Sequence, residues 1–240
     1  MAESGAETFR VEDTMLRILR TSSLKIVEVY VTTTGVMATL SDPEMEPISE
    51  VMRINKRTNN LNRINEVNQI SRNICDGIIS IEEAYEKLIQ IRDMKIYSST
   101  VKSIATVVST GGFVGLFGGT MIECIIAAMN GLIIVLVGRL LENRIGSSFM
   151  VDAVKSFFIA AFTMLCAILF KHADSELIIV GSIMPLVPGI PITNAIRDTL
   201  QGDFNSGTAR MIEAFVISLG IALGIGFGMG FFHYIERMMI

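Results

Sequence analysis

The charges of this chain are segregated along its length, and that constrains its fold class before any motif is read. Residues 1–97 carry 27 of the 44 Asp, Glu, Lys and Arg residues, while the remaining 143 residues carry only 17. Beyond residue 97 the chain is a series of long apolar runs, which accounts for a mean hydropathy of +0.53. Residues 101–137 hold a single carboxylate, Glu123, and have Gly118-Gly119-Thr120 at their middle. One helical crossing of a bilayer takes about 20 apolar residues, so this stretch predicts a helical hairpin with spans near 99–117 and 121–139. Further spans are predicted at 152–170, closed by Lys171-His172-Ala173-Asp174, at 177–200 and at 211–232. The fourth contains Pro185, Pro188, Gly189 and Pro191 and cannot be a regular helix. The expected fold class is therefore an α-helical polytopic integral membrane protein of about five spans, the fourth broken. A small α+β N-terminal domain precedes them, dividing the chain at 1–97 and 98–240.

Orientation follows from the positive charges near span ends. With the N-terminal domain in the cytoplasm, Arg92, Lys95, Lys102, Arg139, Arg144, Lys155, Arg197 and Arg210 fall on the cytoplasmic side, and only Lys171 and Arg237 fall outside. The expected location is the cell (inner or plasma) membrane, multi-pass, with the lipid bilayer as an obligatory partner. The first residues are polar and acidic and do not read as a secretory signal.

The N-terminal domain shows the periods of both helix and strand. Phe9, Met15, Ile18 and Leu19 recur at helical spacing over 8–20. Residues 25–31 and 36–40 are rich in β-branched side chains and flank Thr32-Thr33-Thr34-Gly35, predicting a hairpin, with a third strand over 48–54. Leu61, Ile64, Val67, Ile70 and Ile74 predict an amphipathic helix over 58–75. Ser80-Ile81-Glu82-Glu83 reads as a capping box opening another.

Several function classes find no support. A net charge of −4 without a basic cluster gives nucleic acid no docking surface. Two histidines and three scattered cysteines do not have metal-ligand spacing. No phosphate loop or nucleophile elbow is present, so no cofactor and no enzymatic activity are expected. The glycines at 224, 226, 228 and 230 lie inside a span without a preceding strand and are not a dinucleotide loop. Those at 111, 115 and 119, and at 220 and 224, have the spacing of closely packed helices.

Chemistry is better sought where the fourth span breaks. Irregular backbone at membrane depth survives when buried in protein or lining a wet cavity, and Pro191 is placed to open a half-helix whose free N–H groups face the break. Such half-helices hold anionic groups in transporters. Asn194, Arg197 and Asp198 then share a helical face. The alternative is a kink serving only packing, with Arg197 and Asp198 solvated. After the linking segment Gly202-Asp203-Phe204-Asn205-Ser206-Gly207, the side chains of Ser206, Arg210 and Glu213 share a face, either as functional groups or as a capped helix with an Arg210–Glu213 pair. Glu123 near a span end reads as a pathway or proton-binding carboxylate, or as a structural one, and Asn130 extends its stripe.

Two of these segments carry a family resemblance. Gly5-Ala6-Glu7-Thr8-Phe9-Arg10-Val11-Glu12-Asp13-Thr14-Met15 resembles the opening of the threonine/serine exporter family. Pro188-Gly189-Ile190-Pro191-Ile192-Thr193-Asn194-Ala195-Ile196-Arg197-Asp198, with Gly202-Asp203-Phe204 and Ser206-Gly207, resembles that family's second signature. The longest members carry about twice as many spans. This chain instead resembles the larger subunit of split members associated with succinate export, in which a second small membrane protein supplies the rest.

The resemblance implies a subunit of a secondary exporter for small carboxylate metabolites, threonine/serine or a succinate-like dicarboxylate. An ion gradient would drive it, and a partner subunit and higher oligomer are expected. Pro188, Gly189, Pro191, Thr193, Asn194, Arg197 and Asp198 are the candidate substrate-binding residues. Glu123, Asp198, Asp203 and Glu213 are the candidates for coupling to protons. The competing readings are a membrane scaffold or regulatory subunit without transport of its own, and a membrane-tethered hydrolase. The last would follow the family's suggested hydrolase-like domain, for which no catalytic set is seen.

Overall fold

A computed structural model describes residues 1–55, 57–93, 97–142 and 144–239; Lys95, counted above among the cytoplasmic charges, lies outside them. The chain forms two compact units. The first comprises Met1–Ile96 and Gly189–Glu213, the second Tyr97–Pro188 and Ala214–Ile240. Residues 189–213 thus belong to the same unit as the N-terminal stretch.

In the first unit, a short 3₁₀ turn at Ala2–Ser4 precedes α1 (Thr8–Arg20). A three-stranded antiparallel sheet follows, β1 (Ile26–Val31), β2 (Gly35–Asp42) and β3 (Met45–Arg53), in the order β1-β2-β3. The hairpin pairs Val31 with Val36, and its turn is tied by Thr32 Oγ1, which accepts from the Gly35 N–H at 3.1 Å. Helices α2 (Leu61–Cys75) and α3 (Ile81–Asp93) complete the N-terminal stretch. Asn60 caps α2 by accepting from Arg63 N at 3.0 Å, and Ser80 caps α3 by accepting from Glu83 N at 3.2 Å, so side-chain oxygens take up orphan donors at both starts. Ala6, Val11, Val31 and Ile64 form one apolar cluster, and Ile70, Ile74, Ala84 and Ile91 a second. Of the apolar positions that predicted these helices, Ile64, Ile70 and Ile74 are buried, Met15, Ile18, Leu19 and Val67 are half-buried, and Phe9 and Leu61 are exposed. Helix α8 (Gly189–Leu200) and the first turns of α9 (Phe204–Met239) also belong to this unit.

The second unit is built from α4 (Ser99–Leu116), α5 (Met121–Leu141), α6 (Ser148–Leu169), α7 (Ser175–Ile183) with a 3₁₀ turn at Met184–Leu186, and the rest of α9. Helices α4 and α5 form the expected hairpin, turned through Gly118 at φ +89°, a conformation that favours glycine. Val114, Ile126, Ala127, Cys166 and Ile178 form the apolar core. The helices approach too closely for a side chain at Gly224, where a Cβ would overlap the Ala153 carbonyl, and at Gly181, where it would overlap Val114. Packing is thus the work of these small residues.

Among the described residues, three helices are long and apolar enough to cross a membrane: α5, α6 and α9. A fourth crossing exists if the bent pair Ser175–Leu186 and Gly189–Leu200 counts as one span. The expected count of five differs because of α4. It has 18 residues, but Lys102 and the hydroxyls of Ser99, Thr100, Ser103, Thr106, Ser109 and Thr110 dilute its apolar character. Outward-facing Leu132, Leu136 and Phe227 on the apolar helices are more than half exposed, as lipid-facing residues are when no lipid is counted.

Candidate functional site

The break after α7 falls at Val187-Pro188, and α8 begins at Gly189, two residues earlier than expected. Pro191 therefore sits in the first turn, where its missing N–H is not needed. Pro188 is buried and Gly189 exposed, and Thr193 is exposed with its hydroxyl donating back to Gly189 O at 2.9 Å. The buried face of α8 is Asn194, Ala195 and Asp198.

That face meets the residues leading into α1. Asn194 Nδ2 donates to Gly5 O at 2.8 Å. Asp198, fully buried, accepts from the Thr8 N–H at 3.0 Å through Oδ1 and from the Thr8 hydroxyl at 3.3 Å through Oδ2. The carboxylate thus satisfies an orphan donor at the start of α1 and complements its positive end. Arg210, from the first turns of α9, lies with Nε 2.9 Å from Asp198 Oδ2, an ion pair outside hydrogen-bond geometry, and donates through Nη2 to Ala6 O at 2.8 Å. Four successive residues, Gly5 to Thr8, are therefore held by side chains of α8 and α9.

At the rim of this junction Glu7 pairs with Arg197 and accepts from Arg10 Nε at 2.7 Å. Burial pushes the Glu7 carboxyl up, but hydrogen bonds from Arg10, its own backbone N–H and Arg197 outweigh it and bring it to about 2. Glu12 behaves oppositely. Burial raises it, its hydrogen bond from Val31 N at 2.9 Å counters, and the charges of Asp203 and Asp198 add to the rise. Asp198 is thus not solvated whereas Arg197 stays exposed, and each has a partner of its own in the N-terminal segment.

Helices α8 and α9 are joined through Gly202 at φ +89°. Asp203 Oδ1 caps α9 by accepting from Ser206 N at 3.4 Å. Gly207 lies so close to α8 that a Cβ would overlap Thr199 Oγ1 and sit 3.0 Å from Ala195 O. Glu213 pairs with Arg57 at 2.9 Å, not with Arg210 as the sequence spacing suggested, because Arg210 is drawn to the buried Asp198.

The remaining sequence candidates lie in the second unit. Glu123 is buried, with Oε2 accepting from Thr120 N at 2.6 Å and Oε1 from Asp174 N at 2.7 Å. It completes the capping box of α5 and fixes the residue that caps α7, which occupies both oxygens. Asn130, also buried, does not join it. Its Nδ2 donates to Thr163 Oγ1 at 2.9 Å and Ser182 Oγ at 3.0 Å, linking α5, α6 and α7, while its Oδ1 has no partner. Lys155 is more than a flanking charge: its ammonium is buried between Glu142 at 3.0 Å and Asp152 at 3.4 Å.

Sequence reasoning placed Glu7 and Thr8 inside a recognisable segment but gave them no role. No local pattern reports that their partners stand 190 residues away. Among the described residues, no group of three or more His, Cys, Asp or Glu is placed to hold a metal ion.

Comparison with known proteins identifies the family. A family model described as “Putative threonine/serine exporter” matches residues 1–232. A relative from Mycobacterium tuberculosis, named “Probable threonine/serine exporter”, is 26% identical over 226 residues, covering 92% of this chain and 42% of the relative. Another, from Klebsiella aerogenes and named “Probable succinate transporter subunit YjjP”, is 22% identical over 221 residues, covering 91% of this chain and 84% of the relative. The chain thus spans less than half the length of the mycobacterial relative and most of the other. No solved structure matches it. Since the family match runs from the junction at Gly5 through the apolar helices to residue 232, the chain belongs to the threonine/serine exporter family.

Proposed function

We propose that this chain is a subunit of a secondary exporter of small carboxylate metabolites, either threonine and serine or a succinate-like dicarboxylate. It works in the cell membrane with its N-terminal domain in the cytoplasm and with a second, smaller membrane subunit. Family membership and the subunit named in the Klebsiella relative support this reading. The observation that carries it is the junction of the two signature segments, where α8 presents Asn194, Arg197 and Asp198 to Gly5–Thr8. Pro188, Gly189, Pro191 and Thr193 shape the start of α8, and its free N–H groups suit a carboxylate. An ion gradient is the energy source. Of the coupling candidates Glu123, Asp198, Asp203 and Glu213, Asp198 is the one that is fully buried beside a cation. The function is transport and not catalysis.

The test is efflux from vesicles holding the chain and its partner subunit. Asn194→Ala removes one hydrogen bond, at a cost of about 1 kcal/mol, and should abolish efflux while membrane insertion is retained; unimpaired efflux would remove Asn194 from the substrate path. One observation favours a second reading, a regulatory subunit without transport: the polar groups of α8 are engaged with the N-terminal segment. Vesicles with both subunits that move no carboxylate down any gradient would decide for it.

A further inference from the structure

Within the first unit, α1, α2 and α8 line a half-open cavity of about 450 Å³, within the range of small-molecule sites. Four guanidinium groups line it. Three have carboxylate partners: Arg10 and Arg197 share Glu7, and Arg17 pairs with Asp13 at 2.9 Å. Arg72 has no carboxylate partner among the described residues. Next to it in sequence, Ser71 lines the cavity at 2% exposure, and its buried hydroxyl has no hydrogen-bond partner. A buried hydroxyl without a partner is costly unless something in the cavity bonds to it. A cation and a hydroxyl left over on the same helix, in a cavity already rich in guanidinium, match a carboxylate in charge and in hydrogen-bond capacity.

We infer that this cavity binds the carboxylate of a small metabolite, with Arg72 and Ser71 reading it and the Arg197–Glu7 pair linking it to the junction. The inference rests on the exporter reading for its ligand class, but its site is separate from the start of α8. A second carboxylate on the ligand would compete with Glu7 for Arg10 or Arg197. An α-ammonium would instead face Asp13. Succinate and L-threonine therefore distinguish the two sources of the same carboxylate chemistry.

The experiment is calorimetric titration of the full chain in detergent with succinate and with L-threonine, with sodium chloride as the control. The variants Arg72→Gln and Ser71→Ala are titrated alongside, and efflux is measured in parallel vesicles. One of the two ligands should bind at a single site, with Arg72→Gln weakening it at least tenfold and Ser71→Ala several-fold. Ser71→Ala should not lower the melting temperature, because the hydroxyl has no protein partner to lose. Equal affinity in Arg72→Gln and the parent overturns the site. So does the absence of binding in a preparation that transports, and the exporter reading then stands. Binding that depends on Arg72 in a preparation that moves nothing supports the site and removes the exporter reading.

Discussion

Replacing Asp198 by alanine isolates the group on which the junction depends. In the folded protein its carboxylate is fully buried, faces the Arg210 guanidinium at 2.9 Å and accepts from the Thr8 N–H and hydroxyl. Arg210 is itself only 8% exposed, so it cannot recover full hydration when its partner is lost. Breaking a buried ion pair from one side costs about 3–5 kcal/mol, mostly for the charge left behind. The two Thr8 donors lie inside the same estimate and are not added to it. For a chain of this size each kcal/mol moves the melting temperature by about 2–4 °C, giving an expected fall of about 6–20 °C.

The chain has no tryptophan, so the melt is followed by helical circular dichroism in micelles, with proteolysis of the first unit as a second readout. The double variant Asp198→Ala/Arg210→Met should be milder than the sum of its singles by at least about 1 kcal/mol, since it removes the stranded cation. A single variant melting within about 2 °C of the parent, or a strictly additive double, would refute the assignment of this pair as the junction's anchor.

Gly207→Ala places a methyl group against Thr199 and the Ala195 carbonyl. It should destabilise by about 1–3 kcal/mol in the same melt. The Glu7 carboxyl is held at about 2, below its ordinary value of 4.5. A depressed carboxyl contributes stability above its unfolded value and loses it as pH falls through the folded one. Stability should therefore drop between about pH 4.5 and 2 by an increment that Glu7→Gln lacks, read from acid melts of the two proteins. Asn130→Ala strands the hydroxyls of Thr163 and Ser182 inside the second unit. It should cost about 1–3 kcal/mol and raise cysteine labelling at the buried Cys166.

Much of the fold is legible in the sequence because its determinants are local. Periodicity gave α1 its observed limits, and the Thr-Gly turn located the β1–β2 hairpin. Ser80 marked the start of α3, because a cap acts within three residues. The span count was less legible. Helix α4 has the length of a crossing but owes its place to packing on α5 through Gly111, where a Cβ would sit 2.9 Å from Cys124 O. The candidate residues 194, 197 and 198 were correctly placed on one helix, yet their partners were not visible. Helix periodicity says which residues share a face, not what that face meets. Arg210 shows the same limit: sequence spacing offered Glu213 three residues on, while burial selected Asp198 on another helix.

The contacts at Gly5–Thr8 also set an order of events during synthesis. Thr8 waits for Asp198, and Ala6 waits for Arg210, across separations of 190 and 204 residues. At about 5–20 residues per second, the ribosome adds those intervening residues over about 10–40 s. Throughout that time the start of α1 lacks the carboxylate that caps it. The first unit can therefore reach its final form only after α4 to α7 have been synthesised, which couples the maturation of the N-terminal domain to the insertion of the apolar segments between its two parts.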